Sequence, residues 1–164
     1  MFVDEIKKIS KEHEKVKIFV DMDGIIAEWP VYDVSEADKF IKGYSQTKPL
    51  PCIIEKLKEI SEIQNVTVNI VTLSKNKEVT KKKEEWLERY TPFISPENWS
   101  IIDKEKGEYT PENRSKIKGK IILEKSEEND YLILLDDEHE VLRETKKLFG
   151  AKGRVYHISS VLVE

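Results

Sequence analysis

The stretch from Lys17 to Glu28 constrains the fold of this chain more than any other, and it reads Lys-Ile-Phe-Val-Asp-Met-Asp-Gly-Ile-Ile-Ala-Glu. Residues 18–20 are apolar and favour β structure, which is typical of a strand buried on both faces of a parallel sheet. Asp21 and Asp23 follow directly. Burying two like charges together is costly, so we expect them at the open end of the strand, paired with a cation or hydrated. Ligands of open α/β sheets bind at that end.

The Asp-x-Asp-Gly turn also has two simpler explanations. Asp and Gly both favour chain reversals, so the turn alone could be structural. A calcium loop would need further ligands at positions 25 and 32, and Ile25 and Tyr32 stand there, which excludes that site. The importance of the motif therefore depends on the residues that end the later strands.

Length and composition exclude several classes of protein. A chain of 164 residues predicts one domain, residues 1–164. Charged residues make up 37% and the net charge is −4, which argues against a general nucleic-acid or membrane-surface binder. The single Cys52 excludes an internal disulfide and a cysteine-rich metal site. The charged N-terminus and the lack of a long apolar run predict a cytoplasmic protein with no membrane association and no stable nucleic-acid complex.

Strands are predicted to alternate with helices along the chain. After the strand at 18–20, apolar patterns predict strands at 66–71, 99–102, 131–135 and 154–158. Helices are predicted at 4–15, 53–63, up to residue 90, 113–126 and 138–149. This alternation predicts a three-layer α/β/α sandwich with a mostly parallel, Rossmann-like sheet and right-handed crossovers.

An aromatic segment from about residue 29 to residue 48 is predicted to form a small cap. It contains Trp29, Tyr32, Phe40 and Tyr44. These rings either form a small core beneath a loop or stack on a substrate base, and both interpretations stay open. Because the segment directly follows the first acid pair, we expect it to cover the site.

Polar side chains also mark the ends of later strands. Thr72 ends the second predicted strand, Asp136 and Asp137 end the fourth, and Lys116 and Lys118 fall in the first turn of the helix before the fourth strand. Carboxylates gathered with a hydroxyl and lysines at one sheet edge predict a site for Mg²⁺ and phosphate together. The oxygen ligands suit a hard cation, and the lack of a His or Cys cluster argues against zinc.

The order of these motifs resembles that of phosphatases of the haloacid dehalogenase (HAD) superfamily. The resemblance is carried by Val20-Asp21-Met22-Asp23-Gly24, then Thr72, then a helix-opening lysine, then Leu-Leu-Asp136-Asp137. Four stretches are more specifically similar to the 5'(3')-deoxyribonucleotidases of that superfamily: Asp21 to Glu28, Lys48-Pro-Leu-Pro, Ile70-Val-Thr, and Lys83-Glu-Glu-Trp86-Leu-Glu-Arg-Tyr90. The resemblance extends from Lys17 to Ile158.

The resemblance implies hydrolysis of phosphomonoesters through an aspartyl phosphate. Asp21 would be the nucleophile, and Asp23 would protonate the leaving group and then deprotonate the attacking water. Thr72 would donate to a phosphoryl oxygen. The implied Mg²⁺ site comprises Asp21, the backbone carbonyl of Asp23, Asp136, and Asp137 either directly or through water.

The family also implies a catalytic lysine, for which Lys116 fits best, with Lys118 and Lys106 as alternatives. Lys83 matches a second, phosphate-contacting lysine of the nucleotidases. The residues predicted to contact the substrate are Gly24, Trp29, Leu73 and Lys83.

The substrate implied by the resemblance is a nucleoside monophosphate. The segment between the first acid pair and the second strand is shorter than the nucleotidase cap, and the loop at 103–113 looks inserted, and both features bear on specificity. Another small phosphomonoester or a phosphorylated polynucleotide end is therefore an alternative substrate. A receiver-type signalling module and a phosphate-binding protein without turnover are alternative functions.

Overall fold

The computed structural model describes residues 1–29, 44 and 47–163. The strands are β1 (Val16–Val20), β2 (Val66–Ser74), β3 (Trp99–Asp103), β4 (Tyr131–Asp136) and β5 (Gly153–His157). The helices of the described ranges are α1 (Phe2–Glu12), α2 (Pro51–Ser61), α3 (Lys77–Tyr90), α4 (Arg114–Glu124), α5 (His139–Phe149) and α6 (Ser159–Leu162). Short 3-10 turns occupy Pro96–Asn98 and Gly150–Lys152.

The five strands form one parallel sheet in the order β3-β2-β1-β4-β5. The strand that carries the first acid pair is therefore central, between β2 and β4. Val20 lies beside Ile70 on one side and Leu135 on the other. The second strand runs through Ser74, which is longer than predicted, so Thr72 lies within β2 and not after it.

Separate apolar cores cover the two faces of the sheet. Ile18 and Val20 of β1 pack in one core with residues of α1, α2 and α3, whereas Phe19 packs in the other with residues of α4 and α5. Side chains of a strand alternate between faces, so apolar residues in succession require cover on both. Helices on both sides confirm the predicted three-layer sandwich.

Helix α3 begins where a short polar turn follows β2. The side chain of Asn76 accepts a hydrogen bond from the backbone N–H of Val79, over 3.0 Å, and so caps the helix. The buried side of α3 comprises Val79, Lys83, Trp86 and Leu87. One lysine thus shares the helix face that packs against the sheet.

Most of the predicted cap, including Tyr32 and Phe40, lies outside the described residues, so the cap stays a prediction. Within this segment the structure describes Trp29, Tyr44, Thr47 and Lys48.

None of the described helices combines the length and the apolar character needed to cross a bilayer.

Candidate active site

Two acid pairs meet at the carboxyl edge of the sheet. The backbone N–H of Asp21 donates to the carbonyl of Leu135 over 3.0 Å, which continues the pairing of β1 with β4 by one residue. Asp21 therefore lies beside the end of β4, where Asp136 is the last residue of the strand and Asp137 follows it. One carboxylate oxygen from each of Asp21, Asp136 and Asp137 lies within 4.8 Å of the others.

The side chain of Lys118 crosses from α4 to this cluster. Its Nζ lies 2.9 Å from Asp21 Oδ2 and 2.7 Å from Asp136 Oδ2, and the side chain is almost fully buried. Burial lowers the pKa of Lys118, but the two carboxylates more than offset this effect, so the pKa is raised. Burial and the nearby Asp21 carboxylate raise the pKa of Asp136 to about 6, against the opposing effect of Lys118. The same two causes raise the pKa of Asp137.

The lysine at the acid cluster is thus Lys118 and not Lys116. Two residues along a helix differ by about 200° in direction, so the two side chains cannot share a face. Lys116 is exposed and acts electrostatically on Glu144 of α5. Lys106 is exposed in the loop after β3.

Asp23 is held by a second buried lysine. Lys83 Nζ lies 2.6 Å from Asp23 Oδ2, 2.8 Å from Thr72 Oγ1 and 2.7 Å from the carbonyl oxygen of Leu73. The hydroxyl of Tyr44 donates to the other oxygen of Asp23, Oδ1. Burial and then the Asp23 charge raise the pKa of Tyr44, so this hydroxyl stays protonated.

Gly24 allows the loop after β1 to approach the loop after β4, so that the two acid pairs lie close together. Its φ is +77°, a conformation that favours glycine, and its N–H donates to the carbonyl of Ala27 over 2.8 Å. A Cβ at this position would lie 2.7 Å from Asp137 Oδ2. Gly24, which was predicted to contact the substrate, therefore packs against an acid of the cluster.

His157 of β5 fixes the backbone behind the second acid pair. The N–H of Ser159 points at His157 Nδ1, at 3.2 Å, so this nitrogen is the acceptor and Nε2 carries the hydrogen. Nε2 then donates to the carbonyl of Asp137 over 3.1 Å. The ring of His139 stacks on that of His157, with centroids 4.6 Å apart.

A cleft of about 140 Å³ opens above the acids, and most of the predicted site residues border it. Trp29 lies at its edge and is 64% exposed. The sequence had not indicated five further lining residues, which are Lys75, Val79, Tyr109, Arg114 and Glu138. The Arg114 guanidinium binds both oxygens of the Glu138 carboxylate, with Nη2 2.6 Å from Oε1. Glu138 directly follows the second acid pair, which was a usable signal, whereas Tyr109 lies in a loop without periodicity.

The donor set suits a hard divalent cation. Three carboxylates converge, and the group includes neither His nor Cys among the described residues. Oxygen ligands of this kind fit Mg²⁺ and do not fit a structural zinc. The side chain of Asp23 is bound to Lys83 and Tyr44 and lies outside this group.

Comparison with known proteins supports the fold. No family model matches the chain, and no curated protein matches it. Among solved structures, the HAD domain of effector protein Lem4 from Legionella pneumophila is similar, with a TM-score of 0.52 and 15% identity over 88% of this chain and 86% of that one. An inactive mutant of that domain gives a TM-score of 0.54 and 13% identity over the same shares. The chain therefore has the fold of a HAD domain, and the nucleotidase resemblance stays a prediction.

Proposed function

We propose that the protein is a phosphomonoester hydrolase that acts through an aspartyl phosphate on Asp21. One observation carries this proposal: the acids at the carboxyl ends of β1 and β4 converge within 4.8 Å, beside a cleft that Asp23 and Thr72 also border. Carboxylates, a hydroxyl and a buried lysine so arranged can bind, attack and release a phosphoryl group.

In the first step a carboxylate oxygen of Asp21 attacks phosphorus, and the bond from phosphorus to the leaving oxygen breaks. Asp23 must be protonated for this step, and it gives its proton to that oxygen. In the second step Asp23 takes a proton from water, whose oxygen attacks phosphorus and breaks the bond to Asp21. Inorganic phosphate leaves, and both carboxyl groups return to their starting states.

Lys118 orients Asp21 through the bond to Oδ2 and places a positive charge beside the atoms that react. Lys118 thus takes the role that the sequence assigned to Lys116. Thr72 would donate its hydroxyl proton to a phosphoryl oxygen.

Mg²⁺ is the proposed cofactor, and Asp21, Asp136 and Asp137 would hold it. When bound, it would supply positive charge that neutralises the phosphoryl oxygens. The three carboxylates carry more negative charge than Lys118 balances, which supports a divalent cation here.

The proposed substrate is a nucleoside monophosphate. The local sequence similarity to deoxyribonucleotidases supports this choice, and so does the exposed ring of Trp29 at the edge of the cleft, which offers a face to a base. Another small phosphomonoester or a phosphorylated polynucleotide end would use the same chemistry.

A phosphatase screen tests the proposal. The substrates are p-nitrophenyl phosphate, ribo- and deoxyribonucleoside monophosphates, sugar phosphates and phosphorylated polynucleotide ends, each with Mg²⁺ or with EDTA. We expect phosphate release that EDTA abolishes and that Asp21→Asn lowers by about a thousandfold or more. Asp4→Asn, which alters an exposed carboxyl of α1, is the matched control.

Two outcomes would replace the proposal with an alternative function. Ligand-induced thermal shifts without phosphate release from any substrate would identify a binding protein. A phosphorylated form of the chain that persists for hours without turnover would identify a receiver-type module.

A further inference from the structure

Lys83 lies on the side of α3 that packs against the sheet. Its side chain is 1% exposed, and its helix neighbours Val79, Trp86 and Leu87 are buried too. An ammonium in such a position must satisfy its charge and its three N–H donors within the protein, because unpaired burial is costly.

Three protein oxygens take these three donors. They belong to the carboxylate of Asp23 at 2.6 Å, the hydroxyl of Thr72 at 2.8 Å and the carbonyl of Leu73 at 2.7 Å. The Nζ also lies 5.3 Å from the centroid of the Tyr44 ring. Contact with a substrate phosphate would require Lys83 to give up one of these hydrogen bonds.

The bond to Thr72 sets the direction of the Thr72 hydroxyl proton. An ammonium has no acceptor, so Thr72 Oγ1 must accept from Lys83 and its own proton is left to donate elsewhere. Thr72 borders the cleft, where a phosphoryl oxygen would be a suitable acceptor.

The Asp23 carboxyl is fixed at both of its oxygens. Lys83 donates to Oδ2, and the hydroxyl of Tyr44 donates to Oδ1. Rotation of the carboxyl would break both hydrogen bonds, so its orientation toward the cleft depends on Lys83.

We propose that Lys83 is a positioning residue, which orients the Asp23 carboxyl and the Thr72 hydroxyl, and that it does not bind the substrate itself. This inference rests on the proposed function, because it assumes that Asp23 transfers the proton to the leaving group. It replaces the expectation, taken from sequence similarity, that Lys83 contacts phosphate.

The dependence of activity on the leaving group tests this role. Lys83→Met keeps the length of the side chain and removes the charge and the donors. We expect kcat/KM for an alkyl phosphate to fall at least about tenfold more than kcat/KM for p-nitrophenyl phosphate, since only the alkoxide needs a proton to leave. The inhibition constant for inorganic phosphate should stay at its wild-type value. Asp23→Asn should show the same leaving-group preference, and Lys83→Met should add little to it.

Equal losses of kcat/KM for the two esters, together with weaker inhibition by phosphate, would overturn the proposal and make Lys83 a substrate ligand. Lys81→Met, at an exposed position of the same helix, is the matched control and should behave as wild type. If Lys83→Met fails to fold, Lys83→Gln replaces it: the amide removes the charge and keeps N–H donors, so we expect the same leaving-group preference at a smaller size. Absence of phosphate release by the wild-type protein would contradict the proposed function, whereas a wild-type-like variant would contradict only the positioning role.

Discussion

Two buried lysines divide the site into halves with different charge balance. In the nucleophile half, Lys118 bonds to the carboxylates of Asp21 and Asp136. In the acid–base half, Lys83 bonds to one carboxylate, that of Asp23, and to two uncharged oxygens of β2. Both lysines reach the edge of the sheet from a flanking helix, and both are almost fully buried.

The difference shows where an added cation belongs. In the nucleophile half one ammonium faces two carboxylates, and Asp137 adds a third negative group. In the acid–base half one ammonium faces the single carboxyl group of Asp23, so no excess of negative charge arises. Only the nucleophile half has an excess of negative charge that a divalent cation would neutralise.

Removing the lysine of the nucleophile half is expected to have the largest effect. Lys118→Met leaves Asp21 and Asp136 without the ammonium, and in EDTA this should lower the free energy of unfolding by about 3–5 kcal/mol. Activity should fall by about a thousandfold, because the charge beside the reacting atoms is lost. Urea denaturation and phosphate-release assays measure the two effects.

Two matched variants sharpen this comparison. Lys116→Met, at an exposed position of the same helix, should change stability by less than about 0.5 kcal/mol. Lys83→Met should cost less stability than Lys118→Met, because the carboxyl side chain it leaves behind, Asp23, is 21% exposed. A larger loss in Lys83→Met would contradict the difference between the halves.

The stability of the metal-free protein should depend on pH through the nucleophile half. The pKa of Asp136 is about 6 in the folded protein, above its value in the unfolded chain, so the folded state binds the proton more tightly. Protonation of Asp136 therefore adds to the free energy of unfolding, on the order of 2–3 kcal/mol. This contribution is fully present at low pH and is lost as the pH rises from about 4 to about 6. Asp136→Asn should lack this contribution, and Mg²⁺ should restore stability at neutral pH.

Urea denaturation of both proteins across this pH range, in EDTA and in Mg²⁺, measures the effect. If the stability difference between wild type and Asp136→Asn did not vary with pH, the pKa of Asp136 would not be raised in the folded protein.

A smaller effect is expected at the contact between the two acid loops. Gly24→Ala should cost about 1–2 kcal/mol from its positive φ and should also lower activity, because the added Cβ would lie 2.7 Å from Asp137 Oδ2. Gly107→Ala is the matched control, since Gly107 has a similar φ of +75° but no atom within 4 Å of an added Cβ. It should lose similar stability and keep full activity. Equal activities of the two variants would show that the approach of the two loops does not matter for catalysis.

The smallest effect is expected from the loss of the hydrogen bond between His157 and the carbonyl of Asp137. His157→Phe keeps a ring that can stack on His139 but removes the hydrogen bond to the carbonyl of Asp137. The Mg²⁺ concentration for half-maximal activity should rise a few fold, with little change in kcat at saturating Mg²⁺. A fall in kcat with an unchanged Mg²⁺ requirement would contradict this positioning of Asp137.

Much of the fold followed from the sequence because its strands are strongly apolar and are separated by periodic helices. The positions of Asp21, Thr72 and Asp136 depend on strand ends, and parallel strands bring those ends to one edge. It was harder to infer which side of helix α4 faces the sheet, so the sequence favoured Lys116 over Lys118. A signal was present, since Lys118 precedes the buried Ile122 by four residues and is followed by Gly119, whose lack of a side chain suits close packing.

The sequence indicated more clearly that Lys83 is buried, although the exposed lysines next to it made this pattern harder to recognise. It lies four residues after Val79 and three and four before Trp86 and Leu87, so it belongs to the apolar stripe of α3. The contacts of Arg114 with Glu138 and of Tyr44 with Asp23 join residues more than twenty positions apart, and no pattern in the sequence specifies them.

The central claim, that Asp21 is the nucleophile of a phosphoryl transfer, is tested most directly by trapping the intermediate. The protein is mixed with a substrate that carries a labelled phosphoryl group, quenched with acid during turnover and digested, and the labelled peptide is identified by mass spectrometry. We expect a labelled acyl phosphate on Asp21 that forms and decays with the rate of phosphate release. Phosphate release that continues in Asp21→Asn, or a label on another residue, would contradict it.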